Sequence, residues 1–227
     1  METLFPVSLP SVTVAGSEKF LAVHRIYCVG KNYADHAREM GGDPTRDPPF
    51  FFSKPADALV HGEDRIPFPG RTDNLHYEVE LVVALGMEGS NVKQDQAVDL
   101  VFGYGVGIDF TRRDLQADAR AAGRPWDVAK GFDNSAPVST IHPVSQTGML
   151  DHGEISLAVN GELRQRGDIA DMIWSVPEII AELSTYFVLR PGDLIFTGTP
   201  AGVGKVQSGD RLQAKIAGLD EITIQLD

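Results

Sequence analysis

The most informative stretch of the sequence reads His76-Tyr77-Glu78-Val79-Glu80-Leu81-Val82-Val83-Ala84-Leu85. Side chains alternate between the two faces of a β-strand, so His76, Glu78 and Glu80 are expected on one face. The opposite face is apolar and is expected to pack on the core; it carries Val79, Leu81 and Val83. Because two carboxylates on one face repel each other unless a cation lies between them, the stretch predicts a strand that offers paired acids to a cation.

A third acid ends a second, glycine-rich predicted strand, Gly103-Tyr104-Gly105-Val106-Gly107-Ile108-Asp109. Glycines within a strand let another backbone or a ligand come close. Three oxygen ligands without an accompanying Cys and His set favour a hard cation, Mg²⁺, Mn²⁺ or Ca²⁺. A Glu-x-Glu pair on its own, however, is more often the solvated polar face of an antiparallel strand. The acids alone therefore leave a metal site and a polar surface both open.

Composition limits the classes of function. Among 227 residues, Lys and Arg number 20 against 32 for Asp and Glu, which gives a net charge of −12. Such an acidic surface repels phosphate backbones and anionic lipids, so we expect neither a nucleic acid nor a membrane as partner. The single cysteine, Cys28, excludes an intrachain disulfide, and the first residues lack the pattern of a signal peptide. We expect a cytoplasmic protein with one domain over 1–227, including a short lead-in over about 1–24.

Short strands separated by Gly, Pro and Asp turns dominate the pattern. The predicted strands cover 26–29, 50–53, 79–85, 101–108, 155–159, 193–197, 211–216 and 221–226. The dipeptide Asn160-Gly161 lies between apolar flanks and predicts a tight hairpin.

Helices are few. They are predicted over 33–40, ended by Gly41-Gly42, over 111–121, and from Ser175 to about 187, where Glu178 completes a capping box. Because the strands do not alternate regularly with helices, a doubly wound fold is disfavoured. The pattern predicts an α+β fold that is mainly β.

Seven blocks of the chain carry a further signal. They read Tyr27-Cys-Val-Gly-Lys-Asn-Tyr-Ala-Asp-His-Ala-Arg-Glu-Met40, Phe52-Ser-Lys-Pro55, Leu75-His-Tyr-Glu-Val-Glu80, Gly107-Ile-Asp-Phe-Thr-Arg-Arg-Asp-Leu-Gln116, Trp126-Asp-Val-Ala-Lys-Gly131, Val159-Asn-Gly-Glu-Leu-Arg-Gln165 and Phe196-Thr-Gly-Thr-Pro-Ala-Gly-Val-Gly204. In this order they resemble the fumarylacetoacetate hydrolase superfamily, in its short single-domain branch of acylpyruvate hydrolases. Seven ordered blocks over roughly 25–225 are far more specific than any one motif.

The resemblance implies a mixed β-sandwich roll with a few short helices, in a homodimer. It assigns Mg²⁺ or Mn²⁺ to Glu78, Glu80 and Asp109. It makes His36 and Glu39 a catalytic pair on a mobile lid. It gives Lys130 a catalytic role beside the metal and the substrate. The substrate-binding residues that it implies are Lys54, Arg113, Gln116 and Thr199, with Thr199 at the substrate carboxylate. The stretch 41–49 is longer than in some relatives, which leaves the choice of substrate open.

The implied activity is hydrolysis of a short acylpyruvate, such as fumarylpyruvate or maleylpyruvate, to a dicarboxylic acid and pyruvate. A 2,4-diketo acid can chelate a metal, whose charge stabilises the pyruvate enolate that leaves. His36 and Glu39 stand at i and i+3 of a helix, so Glu39 can orient the imidazole while His36 deprotonates the attacking water.

Other activities stay open at this point. Decarboxylation of oxaloacetate or a related 2-keto diacid also generates pyruvate enolate, so the same metal site serves it. An isomerase or dehydratase of keto acids ranks third. A non-catalytic protein that binds a metal and a ligand is the remaining alternative, although such a protein needs no general base like His36.

Overall fold

The computed structural model describes residues 4–5, 8–39, 47–62 and 65–227, and strands predominate in them. The strands are β1 (Ser11–Thr13), β2 (Phe20–Ala22), β3 (Arg25–Gly30), β4 (Phe50–Lys54), β5 (Leu59–Val60), β6 (Arg65–Ile66), β7 (Leu75–Tyr77), β8 (Val79–Leu85), β9 (Val101–Ile108), β10 (Thr111–Arg112), β11 (Ala136–Pro137), β12 (His142–Pro143), β13 (Glu154–Val159), β14 (Glu162–Asp168), β15 (Asp193–Phe196), β16 (Gly204–Val206), β17 (Arg211–Ile216) and β18 (Ile222–Leu226). Each predicted strand is present, with its ends within about one residue of the expected ones. The α+β, mainly β fold class is therefore confirmed.

The helices are short. They are α1 (Ala34–Glu39), α2 (Gln94–Ala97), α3 (Arg113–Ala121), α4 (Asp127–Lys130), α5 (Val144–Thr147) and α6 (Val176–Tyr186), with 3₁₀ turns at Ala56–Ala58, Val98–Leu100 and Ile169–Asp171. The capping box of Ser175 and Glu178 is confirmed at the start of α6. Helix α3 begins two residues later than predicted because Thr111 and Arg112 pair with β7. The predicted stop at Gly41-Gly42, and most of 41–49, lie outside the described residues.

Two larger sheets share one hydrophobic core. The first has the strand order β12-β9-β8-β15-β3-β4, and the second β14-β13-β17-β18-β6. Leu81 and Val83 of the first sheet pack in one cluster with Leu157 and Leu212 of the second, all of them fully buried. The predicted hairpin joins β13 to β14, and both Asn160 and Gly161 have the positive φ that a two-residue turn of this kind requires.

Strand β8 is buried on both faces, which the alternation of its residues does not reveal. Val79, Leu81 and Val83 face the large core, as expected. Val82 and Ala84, on the other face, pack in a second cluster with residues of β3 and β15. The strand is thus the central support for the acids at its start.

The stretch 76–80 is not one continuous strand, which corrects the expectation that His76 shares a strand face with both glutamates. His76 lies on β7, which pairs with β10 and β16 in a separate three-stranded sheet. The chain passes through Glu78 into β8 and the six-stranded sheet. Glu78 lies between β7 and β8 and Glu80 lies on β8, and their carboxylates still reach the same place.

The glycines of β9 let neighbouring groups come close, as predicted. A Cβ at Gly103 would lie 2.3 Å from the backbone oxygen of His142 on β12. A Cβ at Gly107 would lie 2.5 Å from Val82 Cγ2 and 2.6 Å from Phe196 Cε1. Only glycine therefore fits where β9 meets its neighbours.

Gly103→Ala is expected to lower the free energy of unfolding by about 2 kcal/mol, because backbone atoms must shift to admit the methyl group. Urea denaturation measures this loss. Gly70→Ala is the matched control, since a Cβ at Gly70 meets nothing within 4 Å and should leave stability nearly unchanged. Equal urea midpoints of unfolding for the two variants would show that β12 can move to admit the methyl group without loss of stability.

No helix in the described part of the chain is both long and apolar enough to cross a membrane.

Candidate active site

Three acids meet where β8 and β9 run side by side. Glu78 precedes β8, Glu80 lies on it opposite Gly107, and Asp109 follows β9. The backbone N–H of Asp109 donates to the carbonyl of Glu78, with N and O 2.8 Å apart, which closes the pair of strands at this end. One carboxylate oxygen from each acid lies within 4.8 Å of the others, and all three side chains are buried. The predicted ligands are therefore brought together away from solvent.

Three cations surround the acids. Lys130 Nζ lies 2.7 Å from Glu78 Oε2 and 2.6 Å from Asp109 Oδ2. Lys54 Nζ lies 2.8 Å from Asp109 Oδ1, and the guanidinium of Arg113 pairs with Glu78 Oε1. Three formal negative charges thus face three formal positive charges, and the cluster is neutral before any metal is counted.

Glu80 differs from the other two acids. Among the ion pairs of the described residues it has no basic partner; the backbone N–H of Gly198 donates to its Oε2 at 2.7 Å. Burial, and then the charges of Asp109 and Glu78, raise the pKa of Glu80 well above its usual value. Burial also disfavours ionised Glu78, but Lys130 and Arg113 outweigh it and hold the pKa of Glu78 well below its usual value.

A divalent cation fits this donor set. The acids supply oxygen ligands only, which hard cations such as Mg²⁺ and Mn²⁺ prefer. A buried carboxylate beside two others is unfavourable unless a positive charge compensates it, and within the described residues no basic side chain pairs directly with Glu80. Glu78, Glu80 and Asp109 can therefore hold a metal ion, with Glu80 gaining most from it.

A cavity of about 240 Å³ opens onto the acids. Apolar side chains form one part of its wall, namely Val29, Phe50, Phe52 and Trp126. The polar residues that line it, besides the three acids, are Lys31, His36, Arg113, Gln116, Arg120, Lys130 and Thr199. Most of the predicted site residues therefore converge on one cavity.

Lys54 is the exception among the residues expected to touch the substrate. It does not line the cavity; its ammonium group contacts Asp109 and the carbonyl oxygens of Phe110 and Lys130, and its side chain is fully buried. This place suits a residue that holds Asp109 and the end of α4 together. The sequence places Lys54 in the block Phe52-Ser-Lys-Pro55 but does not show on which side of the acids the lysine lies.

His36 and Glu39 form the predicted pair on α1. Their Nδ1 and Oε2 atoms are 3.2 Å apart, and His36 is buried while lining the cavity. Glu39 also accepts hydrogen bonds from the backbone N–H of Gly202 at 3.2 Å, which ties α1 to the loop after β15. When Nδ1–H donates to Glu39, the Nε2 atom of His36 is left as an acceptor.

Thr199 is held by Gln165, a residue to which the sequence gave no role. The Thr199 hydroxyl donates to the Val79 carbonyl at 2.7 Å and accepts from Gln165 Nε2 at 2.8 Å. Gln165 is fully buried and also contacts Val79 N and the Pro200 carbonyl. Since the hydroxyl proton is committed to Val79, a carboxylate at Thr199 is best met by its backbone N–H, which has no partner within the described residues.

Asn32 is a second residue that sequence reasoning missed. Its Nδ2 donates to the carbonyls of Thr197 at 2.8 Å and Trp174 at 2.9 Å, and its Oδ1 accepts from Trp174 N at 2.7 Å. These bonds join the loop after β3 to the loop that carries Gly198 and Thr199. An asparagine after an apolar strand reads as an ordinary turn residue, so only the long-range contacts reveal it.

His76 supports Arg113. Its Nδ1 accepts from Arg113 Nε at 3.3 Å, and its Nε2 lies 3.0 Å from Asn74 Oδ1. Burial, and then the charge of Arg113, lower the pKa of His76 to about 4. A neutral imidazole can accept from the guanidinium, so His76 orients Arg113 towards Glu78.

Comparison with known proteins gives a consistent picture. The family described as fumarylacetoacetate (FAA) hydrolase C-terminal matches residues 25–226. Fumarylpyruvate hydrolase of Ralstonia sp is 46% identical over 182 residues, covering 80% of this chain and 94% of that protein. The mitochondrial oxaloacetate tautomerase of Arabidopsis thaliana is 41% identical over 203 residues, covering 89% and 91%.

A solved structure agrees over nearly the whole length. The crystal structure of fumarylpyruvate hydrolase from Pseudomonas aeruginosa, in complex with Mn²⁺ and pyruvate, superposes with a TM-score of 0.96 at 52% identity and covers 99% of each chain. The sequence blocks, the sheet architecture and the buried acids all agree with these matches. The chain therefore belongs to the fumarylacetoacetate hydrolase family.

Proposed function

We propose that the protein is a divalent-metal-dependent hydrolase that cleaves the C–C bond of a short acylpyruvate, with fumarylpyruvate as the favoured substrate. The observation that carries the proposal is one cavity lined by three buried acids, by the Lys130 and Arg113 side chains that pair with two of them, and by His36, whose partner is Glu39. The Ralstonia and Pseudomonas aeruginosa fumarylpyruvate hydrolases, the latter with Mn²⁺ and pyruvate bound, support it.

The charges of the site suit this chemistry. A divalent ion held by the three acids would add two positive charges to the neutral cluster and polarise the 2-keto end of the substrate. The departing pyruvate carries a carboxylate and an enolate oxygen, two negative charges in all. In this proposal Lys130, at 2.6–2.7 Å from two of the acids and on the cavity wall, stabilises the enolate as it forms.

In this proposal His36 delivers the attacking water. Glu39 holds Nδ1, so that Nε2 can accept a proton from a water molecule in the cavity. The transfer leaves a charged imidazolium, which the Glu39 carboxylate stabilises. Arg113, paired with Glu78, and Gln116, hydrogen-bonded to Arg113 at 2.6 Å, form the adjoining wall that binds the diketo acid.

A second candidate is tautomerisation of oxaloacetate, which the 41% identical Arabidopsis protein favours. This belongs to the isomerase class that the sequence alone ranked below decarboxylation. The same cavity can serve an enol–keto exchange, because both tautomers carry the same C1 carboxylate and C2 oxygen. Hydrolysis differs from tautomerisation in that it requires His36 to deliver water to a carbonyl carbon.

The experiment is an assay of pyruvate release from fumarylpyruvate, maleylpyruvate and oxaloacetate, with Mg²⁺, Mn²⁺ or EDTA. We expect release of fumarate and pyruvate that requires metal and stops with EDTA. Carbon dioxide from oxaloacetate alone would replace the proposal by a decarboxylase. Enol–keto exchange of oxaloacetate, followed by its ultraviolet absorbance without pyruvate release, would replace it by a tautomerase.

We also propose that the enzyme is a homodimer and acts in the cytoplasm, as the family resemblance and the acidic composition suggest. Light scattering coupled to gel filtration checks the first part: a mass near twice 24.6 kDa is expected. A monomer at micromolar concentration would contradict it.

A further inference from the structure

One face of α3 follows the cavity from the metal-binding acids outwards. Arg113, Gln116 and Arg120 are spaced by three and four residues, which places them on the same side of a helix, and all three line the cavity. Arg113 marks the inner end, because its guanidinium pairs with Glu78. Arg120 lies seven residues further along, roughly 10 Å down the helix axis at 1.5 Å per residue.

Arg120 carries a charge that nothing in the described chain balances. Its guanidinium has no hydrogen bond and no ion pair among the described residues, and its side chain is exposed. Lys31, at the same cavity, likewise has no acidic partner there. The acids that line the cavity are the three at its inner end. The outer part is therefore positive, beside the apolar wall of Phe50, Phe52 and Trp126.

We propose that Arg120 binds a second carboxylate at the far end of the substrate and so makes the site selective for dicarboxylic 2,4-diketo acids. This inference rests on the proposed function. In an acylpyruvate whose acyl group has four carbons and ends in a carboxylate, the two terminal carbons are roughly 7 Å apart in the extended chain, from standard bond lengths. With one end at the acids, the other end reaches the part of the cavity where Arg120 lies.

The charge of Arg120 explains which substrates gain from it. A guanidinium forms paired hydrogen bonds with a carboxylate and keeps its charge at every pH of interest. An acyl chain that ends in a methyl group gains nothing from this charge, and the four-carbon oxaloacetate is too short to reach it. The face of α3 that carries Arg120 therefore favours long dicarboxylic substrates over shorter ones and over those whose acyl end is uncharged.

The test compares two substrates of equal length, fumarylpyruvate and 2,4-dioxoheptanoate, which ends in a methyl group instead of a carboxylate. With Mn²⁺ present, Arg120→Gln should raise KM for fumarylpyruvate about tenfold or more and change kcat less than about twofold. For 2,4-dioxoheptanoate both constants should stay as in the wild type. Arg120→Lys should recover part of the loss, because it restores the charge without the paired hydrogen bonds.

Arg124→Gln is the matched control. Arg124 is an exposed arginine four residues on, and it lines a neighbouring cavity rather than the one at the acids. It should leave both substrates unaffected. Equal effects of Arg120→Gln on the two substrates, or the same loss from Arg124→Gln, would overturn the inference while metal-dependent pyruvate release still upheld the proposed function. Release from neither substrate by the wild type would overturn both.

Discussion

Glu80→Gln should abolish metal binding and lower kcat/KM by roughly a thousandfold or more, since a catalytic metal supplies several kcal/mol and each 1.4 kcal/mol is a factor of ten. The substitution removes one of the three proposed ligands and keeps the side-chain shape. Calorimetric titration with Mn²⁺, alongside the pyruvate assay, measures both losses. Full activity at ordinary Mn²⁺ concentrations would exclude Glu80 as a ligand.

The same variant should fold at least as well as the wild type without metal. The Glu80 pKa is raised in the folded protein, chiefly by burial, so the protonated form favours folding. That contribution is fully present below the usual value of 4.5 and is lost as pH rises through the raised pKa. At neutral pH a neutral glutamine avoids this loss, and its oxygen can still accept from Gly198 N–H. Urea denaturation in EDTA at pH 7 checks this.

Glu78→Gln is the comparison that tests whether the unchanged or higher stability is specific to the substitution of Glu80. It also removes a ligand, but it leaves Lys130 and Arg113 without a partner that both now contact. Breaking a buried ion pair from one side destabilises a protein by about 3 kcal/mol or more. The two glutamate variants should therefore lose activity together and differ in stability. Equal stability of both would contradict the arrangement of charges described above.

His36→Ala is expected to lower kcat by about 100- to 10,000-fold, the usual range for removal of a general base. Metal affinity should not change, because His36 is not among the three ligands. Pyruvate release at saturating fumarylpyruvate, with Mn²⁺ affinity measured in parallel, separates the two effects. The non-catalytic alternative predicts no turnover in the wild type for this variant to lose.

His152→Ala is its control. His152 is an exposed histidine that, like His36, pairs through Nδ1 with a nearby acid, here Asp151. It lies outside the cavity and should leave kcat and metal binding at wild-type values. A similar loss of kcat in both variants would mean that the effect of His36→Ala does not come from removal of a general base.

The sequence predicts the acids well because strand periodicity and chain order decide their position. Glu78 and Glu80 precede an apolar run, and Asp109 directly follows the strand that pairs with that run, so antiparallel pairing brings the three acids together. The His36–Glu39 pair is also local, since three residues along one helix fix its distance. Such features depend on residues that are neighbours in sequence or across one ladder.

Other parts of the site depend on contacts that no local pattern encodes. The alternation of residues runs through 76–80 without a break, yet the chain changes sheets there, because pairing partners and not periodicity decide where a strand ends. Gln165 and Asn32 are single polar residues whose bonds cross more than 80 and 140 positions. Lys54 lies behind Asp109 because β4 packs beside β3, a packing that composition does not indicate.

The balance of charge around the acids bears on the order in which the enzyme is assembled. Where only an ion holds repelling ligands together, folding must wait for that ion. Here Lys54, Lys130 and Arg113 reduce the repulsion among the acids, so the chain can fold first and bind the metal ion afterwards. The ion can then exchange without unfolding. Carboxylates accept both Mg²⁺ and Mn²⁺, so the availability of each ion around the folded chain contributes to which one it takes up.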